Sequence, residues 1–359
     1  MSGSQLVLSG AAFLVALILG LGTMPVAYSV GHRLDMVSHP RLFGQGASAV
    51  SRLGGLAVAA SVVVVILPFL VLADGLIREV GALLVGAVVL LVLGAFDDKP
   101  KDRELSPYFR LSVEACVASA VWVGGVQATP TGNPWIDAPL TVFFLVAATN
   151  AFNLLDNMDG VAGSCAATVA AGLFALAGLS GQYLVAILAA ATLGASLAFL
   201  RYNLVSARVY LGNGGSMFLG FLITATTLKL SLPIAQPWSY LAAIAVLIVP
   251  AADTSLVMMS RWIARRPLMT GGVDHLSHRL VVLGFSTRTS ALAHSLASAV
   301  GAAAVAAAIV LKKNEPLVVV FALFIALTLA LLRVAVYEVE SSSVVDTGDP
   351  EVLQEDARF

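Results

Sequence analysis

The sequence predicts an all-α fold, a polytopic membrane bundle of about eleven transmembrane helices. Hydrophobic residues make up 59% of the 359 residues and charged residues only 11%, with a mean hydropathy of +0.93. This composition excludes an ordinary soluble globular domain. The apolar residues also form runs, and about 17–25 apolar residues suffice for a helix to cross a hydrocarbon core about 30 Å thick. We therefore predict one transmembrane domain over residues 1–337.

The apolar runs place the helices in order along the chain. The first run lacks a basic n-region and an A-x-A cleavage site, so we interpret it as a span rather than a signal peptide. The fifth and eighth spans are short, and short spans often end where polar backbone lines a cavity. Residues 338–359 are acidic and aperiodic, which predicts a disordered tail. The predicted spans are about 5–30, 53–72, 79–96, 109–127, 138–151, 161–179, 183–200, 217–230, 238–258, 289–311 and 317–337.

The basic residues predict how the chain is oriented. Most Lys and Arg residues lie in the loops that follow odd-numbered spans. The positive-inside rule places these loops and the C-terminus in the cytoplasm, and the N-terminus outside. The net charge of −1 and the scattered basic residues give no indication of nucleic-acid binding. Cys116 and Cys165 lie inside apolar runs without a second ligand nearby, so we interpret them as packing residues.

Amides and carboxylates end the fifth span, in residues 150–160. A carboxylate at the bilayer centre costs roughly 2.5–3.5 kcal/mol, so such groups usually sit at a membrane edge or in a wet functional cavity. This cluster can hold a cation and hydrogen-bond a sugar or base. Alternatively, the amides join helices and a carboxylate caps the next helix. The cluster comprises Asn150, Asn153, Asp156, Asn157 and Asp159.

Two earlier loops carry charged residues suited to phosphate chemistry. Asp97 and Asp98 directly follow the third span, and adjacent carboxylates at a membrane edge suit Mg²⁺, although they also suit a solvated span end. Arg110, which opens the fourth span, is either a phosphate cation or a positive-inside anchor. Arg52 precedes a Gly-Gly pair that lets backbone approach a phosphate or a neighbouring helix.

The loops after the seventh and ninth spans complete the polar inventory. Asn203 precedes a Gly-rich stretch containing Asn213 and Ser216, which predicts either an anion-binding turn at a helix start or an ordinary turn with Ser216 as N-cap. His275 and His278 share a helix face beside Arg279, a layout fit for phosphate contacts or for a plain interfacial His pair. Two His without a nearby Cys argue against a zinc site. All these clusters lie on the predicted cytoplasmic side, so we expect them to converge on one site.

Together and in this order, the clusters resemble the polyprenyl-phosphate N-acetylhexosamine-1-phosphate transferase superfamily, glycosyltransferase family 4, over roughly residues 30 to 285. Bacterial members prime cell-envelope polysaccharides at the inner membrane. The resemblance implies transfer of a sugar-1-phosphate from a UDP-sugar to a polyprenyl phosphate, release of UMP, and a requirement for Mg²⁺ or, in its place, Mn²⁺. It is also compatible with a homodimer. The interrupted His run favours the hexosamine-1-phosphate branch over the muramoyl-pentapeptide branch.

The resemblance also implies residue roles. The implied catalytic residues are Asp97, Asp98, Asp156, Asp159 and His275. The implied metal ligands are Asp98, Asp156, Asp159 and Asn213. The implied substrate-binding residues are Arg52, Arg110, Asn150, Asn153, Asn203, Asn213, Ser216, His278 and Arg279.

One departure from the family pattern bears on activity. Asn213 stands where the family usually has an Asp that binds Mg²⁺, and an amide brings no charge to the cation. Two unit charges about 4 Å apart interact by roughly 4 kcal/mol at an effective dielectric near 20, so the loss would weaken the metal site. Two rival hypotheses follow: a catalytically impaired relative, and a membrane transporter whose carboxylates couple ions.

Overall fold

The computed structural model describes residues 1–38, 49–72, 77–98, 105–204, 206–269 and 272–334. The predicted tail, 338–359, lies outside the described residues. The described part of the chain is nearly all helical, which confirms the predicted fold class. The helices are α1 (Gly3–Arg33), α2 (Gly54–Leu72), α3 (Ile77–Asp97), α4 (Pro107–Val123), α5 (Pro134–Leu155), α6 (Val161–Leu179), α7 (Tyr183–Asn203), α8 (Gly212–Lys229), α9 (Trp238–Val246), α10 (Ile248–Ile263), α11 (Leu276–Val282), α12 (Thr287–Leu311) and α13 (Glu315–Leu332).

Each predicted span overlaps one helix or, for the ninth span, a pair. Among the described residues, seven helices are long and apolar enough to cross a membrane, and the bent pair α9–α10 makes an eighth if it is one span. The chain is thus a multi-pass membrane protein, while the count of eleven crossings stays a prediction. The seven are α1, α3, α5, α6, α7, α12 and α13.

The fifth and eighth helices are longer than predicted. Asn133 caps α5 by accepting a hydrogen bond from the Trp135 backbone N–H at 3.1 Å, and Pro134 suits the first helical position. At its other end α5 continues to Leu155, so Asn150 and Asn153 lie inside the helix. Helix α8 begins at Gly212, five residues before the predicted start at 217. The expectation that these two spans are short is therefore wrong.

The ninth span is broken into two helices at Leu247. Helices α9 and α10 meet at an angle of 80°. Pro250 explains the break, because a continuous helix needs the N–H of residue 250, which proline lacks, and its ring clashes with the carbonyl four residues earlier. The bend turns α10 towards α5 and α13, against which it packs.

Helix α8 is the buried centre of the bundle and fixes its neighbours at close range. All of its residues from 214 to 227 are buried. A Cβ on Gly55 of α2 would come within 2.2 Å of Gly215 Cα, and a Cβ on Gly94 of α3 within 2.4 Å of the Gly214 nitrogen. No side chain fits at either contact. The N-terminus of α8 is therefore held directly beside the C-terminus of α3.

A short sheet ties the first polar loop to the fourth. Strands β1 (Val37–Ser38) and β2 (Val50–Ser51) pair antiparallel. The Ser51 N–H donates to the Arg208 carbonyl at 3.2 Å, and the Tyr210 N–H donates to the Ser51 carbonyl at 2.7 Å. These bonds bring Arg52 to the start of α8.

Candidate active site

The polar loops of the first seven spans converge on one cavity of about 260 Å³ at one end of the bundle. This convergence is what their common sidedness predicted. The cavity-lining residues that were predicted from the sequence are Arg52, Asp98, Asn153, Asp156, Asn157, Asp159, Asn203 and Asn213. Met158, Tyr210 and Gly212 complete the lining.

Three carboxylates, those of Asp98, Asp156 and Asp159, line this cavity, and the pKa of each is raised. Burial, with the nearby Asp98 and Asp159 charges, raises the pKa of Asp156 to about 7. Burial also raises the pKa of Asp159 to about 6 and that of Asp98 above its ordinary value. Among the described residues the Asp156 carboxylate accepts no hydrogen bond. Crowded carboxylates of this kind are what a cation would stabilise.

The donor set fits an open Mg²⁺ site. Mg²⁺ is usually bound by one or two carboxylates and completes its octahedron with water and substrate phosphates. Asp98, Asp156 and Asp159 supply such oxygens around one cavity. Within the described part of the chain, no three His, Cys, Asp or Glu side chains lie close enough together to hold a metal ion by themselves.

Asp97 and Asp98 face different surroundings, although they are adjacent in the sequence and were predicted to act as a pair. Asp97 lies behind the cavity: it forms a 2.9 Å ion pair with Arg110 and accepts the Leu105 N–H at 3.2 Å. Asp98 lies one residue beyond α3 and faces the cavity, where it accepts the Gly214 N–H at 3.4 Å. The predicted acidic pair therefore presents only Asp98 to a substrate.

Arg110 and Asn150 belong to a network beside the cavity rather than to its lining. The Arg110 guanidinium lies 3.5 Å from both Asn150 Oδ1 and Asn153 Oδ1. The Asn150 amide donates to Glu114 of α4, which is buried. Glu114 was not predicted from the sequence as part of this network. A lone carboxylate inside an apolar run was the signal available, because such residues are costly unless paired.

The start of α8 differs from both predictions made for it. Ser216 is inside the helix, where its hydroxyl donates to the Gly212 carbonyl at 3.0 Å and accepts from Asn153 Nδ2 at 2.7 Å, so it is not the N-cap. The helix start does meet an anion, but that anion is the Asp98 carboxylate, which accepts the Gly214 N–H. The turn that was predicted to bind a substrate anion therefore binds the carboxylate of Asp98 instead.

Asn203 holds the turn that carries Asp159. Its Oδ1 accepts the Gly160 N–H at 2.7 Å, and its Nδ2 donates to the Val209 carbonyl at 3.0 Å. Gly160 has a φ of +78° and a Cβ there would lie 2.4 Å from a Leu204 methyl, so glycine is required at this turn. Asn203 lines the cavity, but both ends of its amide bind backbone.

The predicted phosphate-binding role of the C-terminal cluster is not supported by its placement. His275, His278 and Arg279 are buried and do not line the cavity. Arg279 is fully buried. Its guanidinium donates to the carbonyls of Leu331 and Val334, at 2.9 and 2.7 Å, and to Ser260, and these bonds offset the cost of burying it. Arg279 joins α11 to the end of α13, and its role in phosphate binding stays a prediction.

The two histidines are likewise built into the bundle. His275 Nδ1 lies 2.9 Å from Asp253 Oδ2 in α10, and Asp253 Oδ1 accepts the Leu276 N–H at 2.6 Å. Burial, with the neighbouring His275, lowers the pKa of His278 to about 4. Ser277 donates to Asn157 and so joins this cluster to the cavity wall. Asp253 was also missed by sequence reasoning.

Gly212 gives a first test of the cavity. It has a φ of +69°, and a Cβ there would lie 2.5 Å from Asp98 Oδ2 and 2.7 Å from the Arg52 carbonyl. We expect Gly212→Ala to displace Asp98 and to lower the catalytic rate by about tenfold or more, because misplacing reacting groups by about 1 Å can cost 10²-fold.

The matched control is Gly132→Ala. Gly132 has a similar φ of +71° but no neighbouring atom within 4 Å of the added Cβ. Both variants share the backbone strain of a left-handed alanine, about 1–2 kcal/mol, so the difference between them measures the displacement at Asp98. Equal activities in the two variants would contradict the cavity assignment.

Comparison with known proteins supports an enzyme family. The sequence pattern of glycosyl transferase family 4 matches residues 80–231. The chain is 30% identical over 325 residues to a probable undecaprenyl-phosphate N-acetylglucosaminyl 1-phosphate transferase of Bacillus subtilis, covering 88% of both chains. It is 27% identical over 293 residues to the decaprenyl-phosphate N-acetylglucosaminephosphotransferase of Mycolicibacterium smegmatis, covering 72% of both chains.

A third relative is similar over a comparable length. The undecaprenyl-phosphate alpha-N-acetylglucosaminyl 1-phosphate transferase of Escherichia coli K12 is 26% identical over 289 residues, covering 76% of both chains. The names of these relatives agree with the hexosamine-1-phosphate branch indicated by the His pattern. With 30% identity across 88% of a relative, this chain belongs to glycosyl transferase family 4.

Proposed function

We propose that the protein transfers an N-acetylhexosamine-1-phosphate, from a UDP-sugar, to a membrane polyprenyl phosphate and releases UMP. This reaction begins the synthesis of a bacterial cell-envelope polysaccharide. The proposal depends on one observation: a single cavity at one end of the helical bundle is lined by Asp98, Asp156, Asp159 and Arg52. The relatives named above are a probable undecaprenyl-phosphate N-acetylglucosaminyl 1-phosphate transferase and a decaprenyl-phosphate N-acetylglucosaminephosphotransferase, and these names support a similar sugar and lipid here.

The reaction brings two anions together, and the cavity carries groups suited to that task. A lipid phosphate oxygen attacks the β-phosphorus of the UDP-sugar, and UMP leaves. Asp156 and Asp159 would hold Mg²⁺, which would neutralise phosphate charge that otherwise keeps the reactants apart. Arg52 supplies a fixed positive charge on the same cavity.

Asp98 is the best placed proton acceptor for the lipid phosphate. Burial raises its pKa, so it binds a proton more readily than an exposed carboxylate does. Asp97 cannot share this role, because Arg110 and the Leu105 N–H occupy its carboxylate. Asn153 and Asn213 also lie on the lining, where their amides bind each other at 3.2 Å.

The distribution of basic residues supports a cytoplasmic cavity. The positive-inside rule places the arginine-rich face in the cytoplasm, where UDP-sugars are made. Basic residues at the cavity end include Arg33, Arg52, Arg201, Arg208, Arg261 and Arg288. Those at the opposite end are Arg78, Lys229, Lys312 and Lys313.

A sugar-transfer assay tests the proposal. Purified protein is mixed with polyprenyl phosphate and a series of UDP-sugars labelled in the sugar, with Mg²⁺ or with EDTA. We expect labelled lipid and UMP in equal amounts, only when metal and lipid are both present. Uptake of labelled sugar into proteoliposomes without UMP release would instead support the transporter hypothesis.

A further inference from the structure

Four side chains at the back of the cavity close a ring of hydrogen bonds. Arg110 donates to Asp97 Oδ2 at 2.9 Å and approaches Asn153 Oδ1 at 3.5 Å. Asn153 Nδ2 donates to Asn213 Oδ1 at 3.2 Å, and Asn213 Nδ2 donates to Asp97 Oδ2 at 3.2 Å. Each bond links groups on different helices or loops, so the ring fixes the ends of α3, α4, α5 and α8 against one another.

The direction of every bond in this ring is determined by chemistry. A guanidinium can only donate and an ionised carboxylate can only accept. Arg110 therefore supplies two donors and Asp97 two acceptor positions, and each amide between them must accept on one side and donate on the other. Because Asp97 faces residue 213 as an acceptor, residue 213 must present a donor. Asparagine has one, whereas aspartate has none.

We propose that Asn213 is a positioning residue of this ring and not a ligand of the metal. Its amide hydrogen holds Asp97 in its pair with Arg110, and its amide oxygen holds Asn153 on the cavity wall. An aspartate at 213, as the family pattern usually has, would set a second carboxylate about 3.2 Å from Asp97. The asparagine is thus matched to the arginine and aspartate of this chain.

The change Asn213→Asp has opposite consequences for activity under two explanations of this residue. If it were a weakened metal ligand, Asn213→Asp would restore charge to the metal site, raise activity, and change the stability of the metal-free protein by the same amount whether residue 97 is Asp or Asn. If it is the donor of the ring, the same change opposes two carboxylates, destabilises the metal-free protein and lowers activity. The effect on activity rests on the proposed function, whereas the effect on stability does not.

The experiment is a double-mutant cycle in EDTA, read as the melting temperature Tm of the purified protein. The variants are Asn213→Asp, Asp97→Asn and the double change. We expect Asn213→Asp to lower Tm by about 3–6 °C in the parent, since a buried acceptor loses its donor and gains a like charge. In the Asp97→Asn background the same change should cost less than half as much, because the opposing charge is gone.

Asn133→Asp is the matched control. Asn133 caps α5 far from the ring through its side-chain oxygen, and aspartate caps equally well, so Tm should move by less than about 1 °C. If Asn213→Asp yields no folded protein, recovery of folded protein in the double variant supports the ring. An equal cost of Asn213→Asp in both backgrounds, a failure of the double variant to recover folding, or an unchanged Tm in the parent overturns the proposal.

UMP release is the second measurement on the same samples. We expect Asn213→Asp to lower the rate about tenfold, and a rate above that of the parent would overturn the positioning role. If the parent itself releases no UMP from any UDP-sugar, the proposed function fails, while the Tm cycle still decides whether the ring requires an amide at 213.

Discussion

Asp156→Asn lowers the rate of UMP release by about 10²–10³-fold and at the same time makes the metal-free protein more stable at neutral pH. The loss of rate is expected because Asp156 lies close enough to Asp98 and Asp159 to feel the charge of both, which places it at the centre of the carboxylate cluster. Removing one electrostatic group from an active site typically costs that much. The gain in stability is expected because no described residue offsets its charge, so its ionised form is costly in the folded state.

The pH dependence follows from the sign of the pKa shift. Asp156 has a folded pKa of about 7, above its ordinary value, so between about pH 4 and 7 the folded state binds more protons than the unfolded state. Its contribution to stability is therefore present at low pH and lost as pH rises through 7. We expect the Tm difference between Asp156→Asn and the parent, measured in EDTA, to grow from pH 5 to pH 8.

Asp35→Asn is the matched control for this prediction. Asp35 is exposed and has a φ of +55°, a conformation that asparagine also tolerates. It should change neither the rate nor the pH dependence of Tm. A parental rate of UMP release in Asp156→Asn would contradict the assigned role of the cavity.

Arg279→Met destabilises the protein by about 2–6 kcal/mol, because it leaves two backbone carbonyls without their donor and each such group costs about 1–3 kcal/mol. Arg279 is fully buried and joins α11 to the carbonyls at the end of α13. Thermal unfolding measures the loss, and Arg201→Met, at an exposed arginine near the same end, should leave Tm nearly unchanged.

The same variant distinguishes a structural role from phosphate binding. Folded Arg279→Met protein, assayed well below its Tm, should show a KM for the UDP-sugar close to that of the parent. A raised KM with an unchanged Tm would restore the phosphate-binding role that the sequence suggested.

The gathering of the carboxylates was predictable because of where they lie along the chain. Asp98, Asp156 and Asp159 each follow an odd-numbered span, so the alternation of a membrane chain brings them to one face. Their cost in an apolar setting also marks them out. Adjacency in the sequence does not determine which way a side chain points. Asp97 and Asp98 face different surroundings because α3 ends between them. The backbone beyond a helix end turns in a way that periodicity does not describe.

The C-terminal histidine cluster shows a second limit. The spacing of His275 and His278 beside Arg279 suits either phosphate or a packed core, and local sequence does not distinguish them. The deciding partners, Asp253 and the carbonyls of α13, are distant in sequence. The break between α9 and α10 has a clearer signal in the sequence, because Pro250 lies inside the predicted ninth span and a proline there interrupts a helix.

Calorimetric binding of UDP, with and without Mg²⁺, tests most directly whether the three-carboxylate cavity joins a metal to a phosphate donor. We expect Mg²⁺ to tighten UDP binding at least about tenfold in the parent, roughly 1.4 kcal/mol, and to have no such effect in Asp156→Asn. UDP that binds equally well in EDTA, or a metal effect that survives Asp156→Asn, would contradict the account.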